Sequence, residues 1–323
     1  MEIFAVVIFC SVYSLEVISI FVGNSFTIFV FWKHRAKLKR ASYLLVNLAL
    51  ADLLVAISSS YFLSCEVRDV AGGYYENDIQ RWEFITFTSW DVFCGASSLL
   101  NLLVIAYERL YAIRWPFQHL ALRNRTYTYS FVFVWITAGF VSVFYLTLFT
   151  VTPETSKITA MVATVFFLVV LILICMGYLL THLQTRHNIP EGVNELRRAQ
   201  QNKELTKTLL IVTVLSLICW FPSIVVALAF DYTNYYPWSS FNLSKRTHNF
   251  LRFVKFMQYG NSFVNPMVYS FRMPWFKSEI KEHFSKLIRE KNGDLVNQNK
   301  RKVALPHQGR QGNIDQAFFE TKL

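Results

Sequence analysis

The sequence predicts an all-α membrane protein, a bundle of seven transmembrane helices followed by a short amphipathic helix on the membrane surface. Three observations predict it. Hydrophobic residues make up 54% of the chain and charged residues only 16%, against about 25% charged in soluble domains. The apolar residues gather into seven runs, each about as long as the ~20 residues a helix needs to cross a bilayer with its backbone hydrogen bonds satisfied internally. The Lys and Arg residues behind the net charge of +11 lie between those runs. That is the pattern of membrane topology and argues against a nucleic-acid partner.

The runs span residues 3–32, 43–66, 82–113, 127–151, 158–182, 205–230 and 250–271. The first begins behind Glu2 and outlasts a signal-peptide core, so it reads as a span. Basic residues follow run one (Lys33, Arg35, Lys37, Lys39, Arg40), run three (Arg114, Arg123, Arg125) and run five (Arg186, Arg197, Arg198). The positive-inside rule then puts the N-terminus outside and the C-terminus in the cytoplasm of a plasma-membrane protein. Lys245 and Arg246, after run six, go against this pattern. Asn242, in the sequon Asn242-Leu243-Ser244 of that outer loop, is a glycosylation candidate.

Two domains are expected. Residues 1–291 form the membrane domain, including a surface helix over 274–290 in which Phe276, Ile280, Phe284, Leu287 and Ile288 recur among Lys and Glu. Residues 292–323 are polar and expected to be a disordered cytoplasmic tail. The five cysteines, Cys10, Cys65, Cys94, Cys175 and Cys219, lie in or beside apolar runs without metal-like spacing. They read as packing residues, with no disulfide expected.

Ionisable side chains inside spans are costly and usually functional. The candidates here are Glu16, Asp52, Asp91, the pair Glu108-Arg109, and Lys255. Asn24, Asn47, Ser98, Asn101, Asn261, Ser262 and Asn265 accompany them, and Pro222 and Pro266 interrupt runs six and seven. Asp91 and Arg109 are eighteen residues apart, hence on one helix face and ~27 Å from each other. Lys255, Tyr259, Ser262, Pro266 and Tyr269 likewise share a face of run seven. Plainer readings stand beside these. Asp52 and Asn265 also suit interhelical polar packing, and Arg109 suits snorkelling at a span end.

Several motifs recur in a fixed order. They are Gly23-Asn24, Leu48-Ala49-Leu50-Ala51-Asp52, Glu108-Arg109-Leu110 with Pro116, Trp135, Tyr178, Cys219-Trp220-Phe221-Pro222 and Asn265-Pro266-Met267-Val268-Tyr269. In this order and spacing the chain resembles the rhodopsin-like (class A) G-protein-coupled receptors from Val22 to about Leu287. The resemblance implies that Arg109, beside Glu108, engages a heterotrimeric G-protein, with Tyr178 and Tyr269 swinging in to support it. It implies that Trp220 floors a ligand pocket. It also implies a possible sodium ion at Asp52, Ser98, Asn261 and Ser262, whose oxygens suit a hard cation. No other cofactor is expected.

The chain departs from the family pattern at several positions. Leu110 stands for the usual Tyr, Asn202 for the acid at the base of run six, and Ser216 for a Phe of the core relay. Val170 stands for the run-five proline, and Phe84 for the disulfide Cys at the outer end of run three. The last loss is shared with receptors for lipids and melanocortin peptides. The ligand set partly resembles that of aminergic receptors, with Asp91 in the place of the amine anchor and Tyr259 in that of its hydrogen-bonding tyrosine. Lys255, Trp220, Ser223 and Cys94 complete the expected ligand-side set. Ser223 and Ile224 replace the aromatics that follow the run-six proline in aminergic receptors. Val162, Ala163 and Phe166 replace the catechol-binding serines.

Lys255 lies one turn outward of Tyr259 and, by family geometry, opposite Asp91. An Asp91–Lys255 pair would neutralise both charges and gate the pocket. The expected ligand is an extracellular small molecule resembling a biogenic amine. The alternatives are a lipid or other small molecule, or a short peptide. An opsin would carry its lysine at Tyr259. A transporter would show internal repeats, and none is visible. An enzyme would need a nucleophile, base or metal cluster, and none is found. The carboxy-terminal Thr321 and Leu323 fit a PDZ-domain ligand. Arrestin is a further expected partner.

Overall fold

In the computed structural model, the described residues are 2–34, 42–70, 78–150, 153–187, 193–229, 245–272 and 276–283, with 285, 286 and 289. The sequon at Asn242, the tail 292–323 and its Thr321 and Leu323 lie outside the described residues.

Every described element is helical: α1 (Glu2–Lys33), α2 (Ser42–Val70), α3 (Asp78–Arg114), α4 (Pro116–Ala121), α5 (Asn124–Phe149), α6 (Pro153–His187), α7 (Val193–Ala229) and α8 (Lys245–Arg272). Each apolar run falls on one long helix. Most helices overrun their runs because apolarity marks the bilayer and not the end of helical backbone. In α7 the polar stretch 193–204 is rich in Glu, Arg, Gln and Lys, all good helix formers. The short α4 has no counterpart among the runs. It starts with Pro116 at its first position, where the missing N–H costs no hydrogen bond.

Among the described residues, six helices are long and apolar enough to cross a membrane, over Val7–Lys33, Ser42–Arg68, Ile85–Arg114, Asn124–Leu148, Ile158–Gln184 and Leu210–Leu228. The expected seventh run forms helix α8, which by composition is not among them. Arg252, Lys255, Gln258, Asn261, Ser262 and Asn265 dilute its apolarity, and these are the residues it turns toward its neighbours. It is the most polar of the long helices because so much of its surface serves the interior.

The bundle holds a set of polar residues within an otherwise apolar interior and turns large apolar residues outward. Asn24, Asn47, Asp52, Ser97, Ser98, Asn101, Asn261 and Asn265 are buried, while Leu15, Phe21, Phe140, Val143 and Met161 are exposed. A water-soluble chain would do the reverse. The helices close into a ring, α1 on α2, α2 on α3, α3 on α5, α5 on α6, α6 on α7, α7 on α8 and α8 on α1. α3 also reaches α6 and α7 and is the most buried of the six apolar spans.

The α1–α8 seam shows how sequence sets a close approach. A Cβ on Gly23 would sit 2.8 Å from Cγ of Pro266, so only glycine fits. Pro266 lacks the N–H that would bond the carbonyl of Ser262, four residues back. Asn24 supplies the missing donor, its Nδ2 bonding that carbonyl at 3.0 Å and its own Ile20 carbonyl at 2.9 Å.

The residues after Arg272 form a separate unit, in which 276–283 are helical. With 285, 286 and 289 they are the described residues of the stretch 274–290, for which a surface helix was expected.

Candidate functional site

The end of the bundle that holds the start of α1 and of α3 is called upper here. A cavity of about 180 Å³ opens there, reached by side chains of α2, α3, α5, α6, α7 and α8. Phe62, Phe87, Phe167 and Trp220 give it an aromatic wall, and its polar groups include Asp91, Lys255, Ser223 and Gln258, with Glu66 and Arg252 also lining it.

Asp91 on α3 is only 6% exposed. Its Oδ2 accepts from Lys255 Nζ of α8 at 2.7 Å, and its Oδ1 accepts from the Ser58 hydroxyl of α2 at 2.7 Å. The side chain of Lys255 is 30% exposed. It also donates to Gln258 Oε1 at 3.3 Å, which accepts from the Ser223 hydroxyl of α7 at 3.1 Å. The ammonium lies 5.6 Å from the Tyr259 ring centroid. The pairing of Asp91 with Lys255 is thus formed. Tyr259 is buried, but its hydroxyl makes no hydrogen bond of ordinary geometry. Tyr259 stands beside both Asp91 and Ser58, and the hydrogen bond of ordinary geometry to Asp91 comes from Ser58.

A second pair stands at the rim. Arg252 donates to Glu66 Oε2 through Nε at 2.7 Å, and its Nη2 is 2.5 Å from the same oxygen. Its backbone carbonyl accepts from the Tyr13 hydroxyl at 2.7 Å. Neither residue is among those singled out from the sequence; the available signal was a charge at the end of run two and Arg252 one turn before Lys255, and only the fold brings them together.

Trp220 stacks on Phe167 with centroids 5.0 Å apart. A Cβ on Gly95 would lie 2.7 Å from its Cη2, so Gly95 lets the indole reach under the cavity. Below it a small second space is lined by Cys94, Gly95, Ser98, Tyr259, Asn261 and Ser262, and it shares Asp91, Trp220 and Gln258 with the first. Cys94 therefore belongs to this lower space and not to the main cavity.

Asp52 is fully buried. Its Oδ1 accepts from Ser98 at 2.9 Å and Ser262 at 2.8 Å, and its Oδ2 accepts from Asn265 Nδ2 at 2.6 Å. Asn261 donates to the Ser98 hydroxyl at 3.5 Å, leaving its own buried Oδ1 without a hydrogen bond. One carboxylate with hydroxyls and a spare amide oxygen is a donor set for a singly charged hard cation. Asn265, expected on the activation side, belongs to this cluster. Beside it Asn47 donates to Asn101 Oδ1 at 2.6 Å and accepts from Trp135 Nε1 at 2.9 Å.

At the lower end Arg109 is buried and pairs with Glu108. The other oxygen of Glu108 lies 2.7 Å from Nε2 of His119 on α4 and accepts from the Tyr127 hydroxyl of α5 at 3.4 Å. His119 and Tyr127 gave no signal in the sequence, because their role depends on how α4 folds back. Tyr178 and Tyr269 are both buried in the bundle. The side chains of Phe84, Asn202 and Glu204 are outside the described set. The five cysteines are free.

The profile of the 7 transmembrane receptor (rhodopsin family) matches residues 23–269. The chain belongs to that family. It is a multi-pass membrane protein of a receptor family, not an enzyme. Trace amine-associated receptor 1 of Mus musculus is 25% identical over 302 residues, covering 84% of this chain and 86% of that receptor. Galanin receptor 2b of Danio rerio is 34% identical over 106 residues, or 33% of this chain. Tyramine receptor Ser-2 of Caenorhabditis elegans is 33% identical over 124 residues, or 38% of this chain. The chain spans only 26% of the length of each of the last two.

Proposed function

We propose that this rhodopsin-family receptor sits in the plasma membrane with its N-terminus outside. It binds a small amine-like ligand in the upper cavity and activates a heterotrimeric G-protein through Arg109. One observation carries the reading. Asp91, in the cavity, and Arg109, held by Glu108 at the opposite end, are both on α3. A ligand that breaks the Asp91–Lys255 pair then acts on the helix that presents Arg109. The trace-amine and tyramine receptors among the relatives support the amine.

Tyr178, Pro266 and Tyr269 take part in the rearrangement, and Asp52, Ser98, Asn261 and Ser262 hold a sodium ion. Residues 274–290 lie on the inner membrane surface. Arrestin, and a PDZ-domain protein at Thr321 and Leu323, are further partners, and Asn242 carries a glycan. A peptide ligand is the second reading, favoured by the match to the galanin receptor.

The test is guanine-nucleotide exchange in membranes that contain the full chain and G-protein, against a panel of amines and short peptides. An amine should raise exchange in the wild type and not in Asp91→Asn. If peptides act and amines do not, the second reading takes over.

A further inference from the structure

We propose that the ligand is a zwitterion. Its ammonium and its acidic group are close together, as in an α-amino acid, and are joined to an apolar body about the size of one aromatic ring. This rests on the reading of the upper cavity as the ligand site.

The argument is one of charge balance. Lys255 Nζ and Asp91 Oδ2 are 2.7 Å apart at the cavity wall. A ligand with only an ammonium group, seated on Asp91, displaces Lys255 and leaves it Gln258 Oε1, a neutral acceptor now 3.3 Å away. A ligand with only a carboxylate, seated on Lys255, leaves Asp91 neutral hydroxyls in place of a counter-charge, Ser58 at 2.7 Å and Tyr259 beside it. Either one leaves an ion without its counter-charge, Asp91 nearly buried and Lys255 with its side chain only 30% exposed, and removing one partner is the costly way to break such a pair. A zwitterion inserted between them gives each side chain a new partner of opposite sign and strands nothing. Because the two protein charges touch, the ligand's charges must lie within a few bonds of each other.

Arg252 does not offer an easier anion site. Its Nε and Nη2 already hold Glu66 at 2.7 and 2.5 Å. The other oxygen of Asp91 is fixed by Ser58, so the oxygen facing Lys255 keeps its direction when Lys255 leaves. The body of the ligand meets Phe62, Phe87, Phe167 and Trp220. An apolar cavity of about 150 Å³ takes up benzene, so one of about 180 Å³ holds a ring and a few more atoms.

Three probes share a phenyl ring and a two-carbon link: phenethylamine with the ammonium, 3-phenylpropionate with the carboxylate, and L-phenylalanine with both. Binding is read on the purified full chain as the shift of its thermal unfolding midpoint with probe concentration. Phenylalanine should bind at least about tenfold more tightly than either mono-ion. Lys255→Gln should reverse the preference toward phenethylamine, and Asp91→Asn toward 3-phenylpropionate. The double variant should lose the discrimination while still unfolding cooperatively, which guards against a folding defect. Equal or tighter binding of one mono-ion by the wild type overturns the proposal. So does binding of none of the three, or a preference that neither variant moves. Nucleotide exchange is measured in parallel. Phenylalanine that binds without changing exchange sinks the receptor reading and leaves the ligand class standing. Exchange driven by phenethylamine alone does the opposite.

Discussion

Asp91 and Lys255 restrain each other. With the carboxylate 6% exposed and the ammonium 2.7 Å away, removing either leaves the other charge poorly solvated. Asp91→Asn and Lys255→Gln should each lower the unfolding midpoint, and the double variant should unfold at a higher temperature than the worse single. The coupling expected from such a cycle is on the order of 1 kcal/mol. Additive effects would show that the pair is not held in solution. Asp52 makes the contrasting case, a carboxylate whose neighbours all donate neutral hydrogen bonds. Wild type should be more stable in sodium chloride than in equimolar potassium chloride, and Asp52→Asn should lose that difference. At this scale the sequence was informative about which residues matter, because charge inside a span is rare. It was less so about partners. Lys255 was legible because it lies one helical turn from Tyr259, but Ser58 and Gln258 are ordinary residues until the fold brings them to the pair.

At the scale of elements, the apolar runs located the seven long helices among the described residues, since the bilayer requirement leaves a strong mark on composition. What they missed follows from what they measure. α4 is too short and too mixed to register. α8 reads as a run, yet its composition is that of a helix whose inner face is largely polar. The α1–α8 seam was visible only as the motifs around Asn24 and Pro266, and its logic is structural. Pro266 leaves the Ser262 carbonyl without its helical donor and Asn24 replaces it at 3.0 Å. Asn24→Leu should therefore destabilise the bundle by about 1–3 kcal/mol, the cost of an unsatisfied buried acceptor. Asn24→Gln, which keeps the amide but misplaces it, should recover only part of this. Thermal unfolding of the three forms in one detergent measures it. An Asn24→Leu protein as stable as wild type would mean that water fills the gap.

For the whole molecule, the closed ring of helices around α3 makes the upper cavity and the Arg109 end parts of one body. Glu108 holds Arg109 and is itself held by His119 at 2.7 Å and by Tyr127 at 3.4 Å. His119 is thus a positioning residue, anchoring from α4 the carboxylate that restrains Arg109. His119→Ala should loosen Glu108, free Arg109 more often and raise basal nucleotide exchange. On the proposed reading the consequence reaches the other end. If ligand favours the state in which Arg109 is released, a variant that already favours it must bind ligand more tightly, because coupling between two sites is reciprocal. For a coupling of 1–3 kcal/mol the affinity gain is at most about 5- to 150-fold. His119→Gln, which keeps a donor near Glu108, should lie between wild type and His119→Ala in both measurements. Basal exchange and ligand affinity measured on the three forms should rise together. Exchange that rises while affinity stays constant would mean that α4 controls G-protein access alone, and that the two ends of α3 are not linked through it.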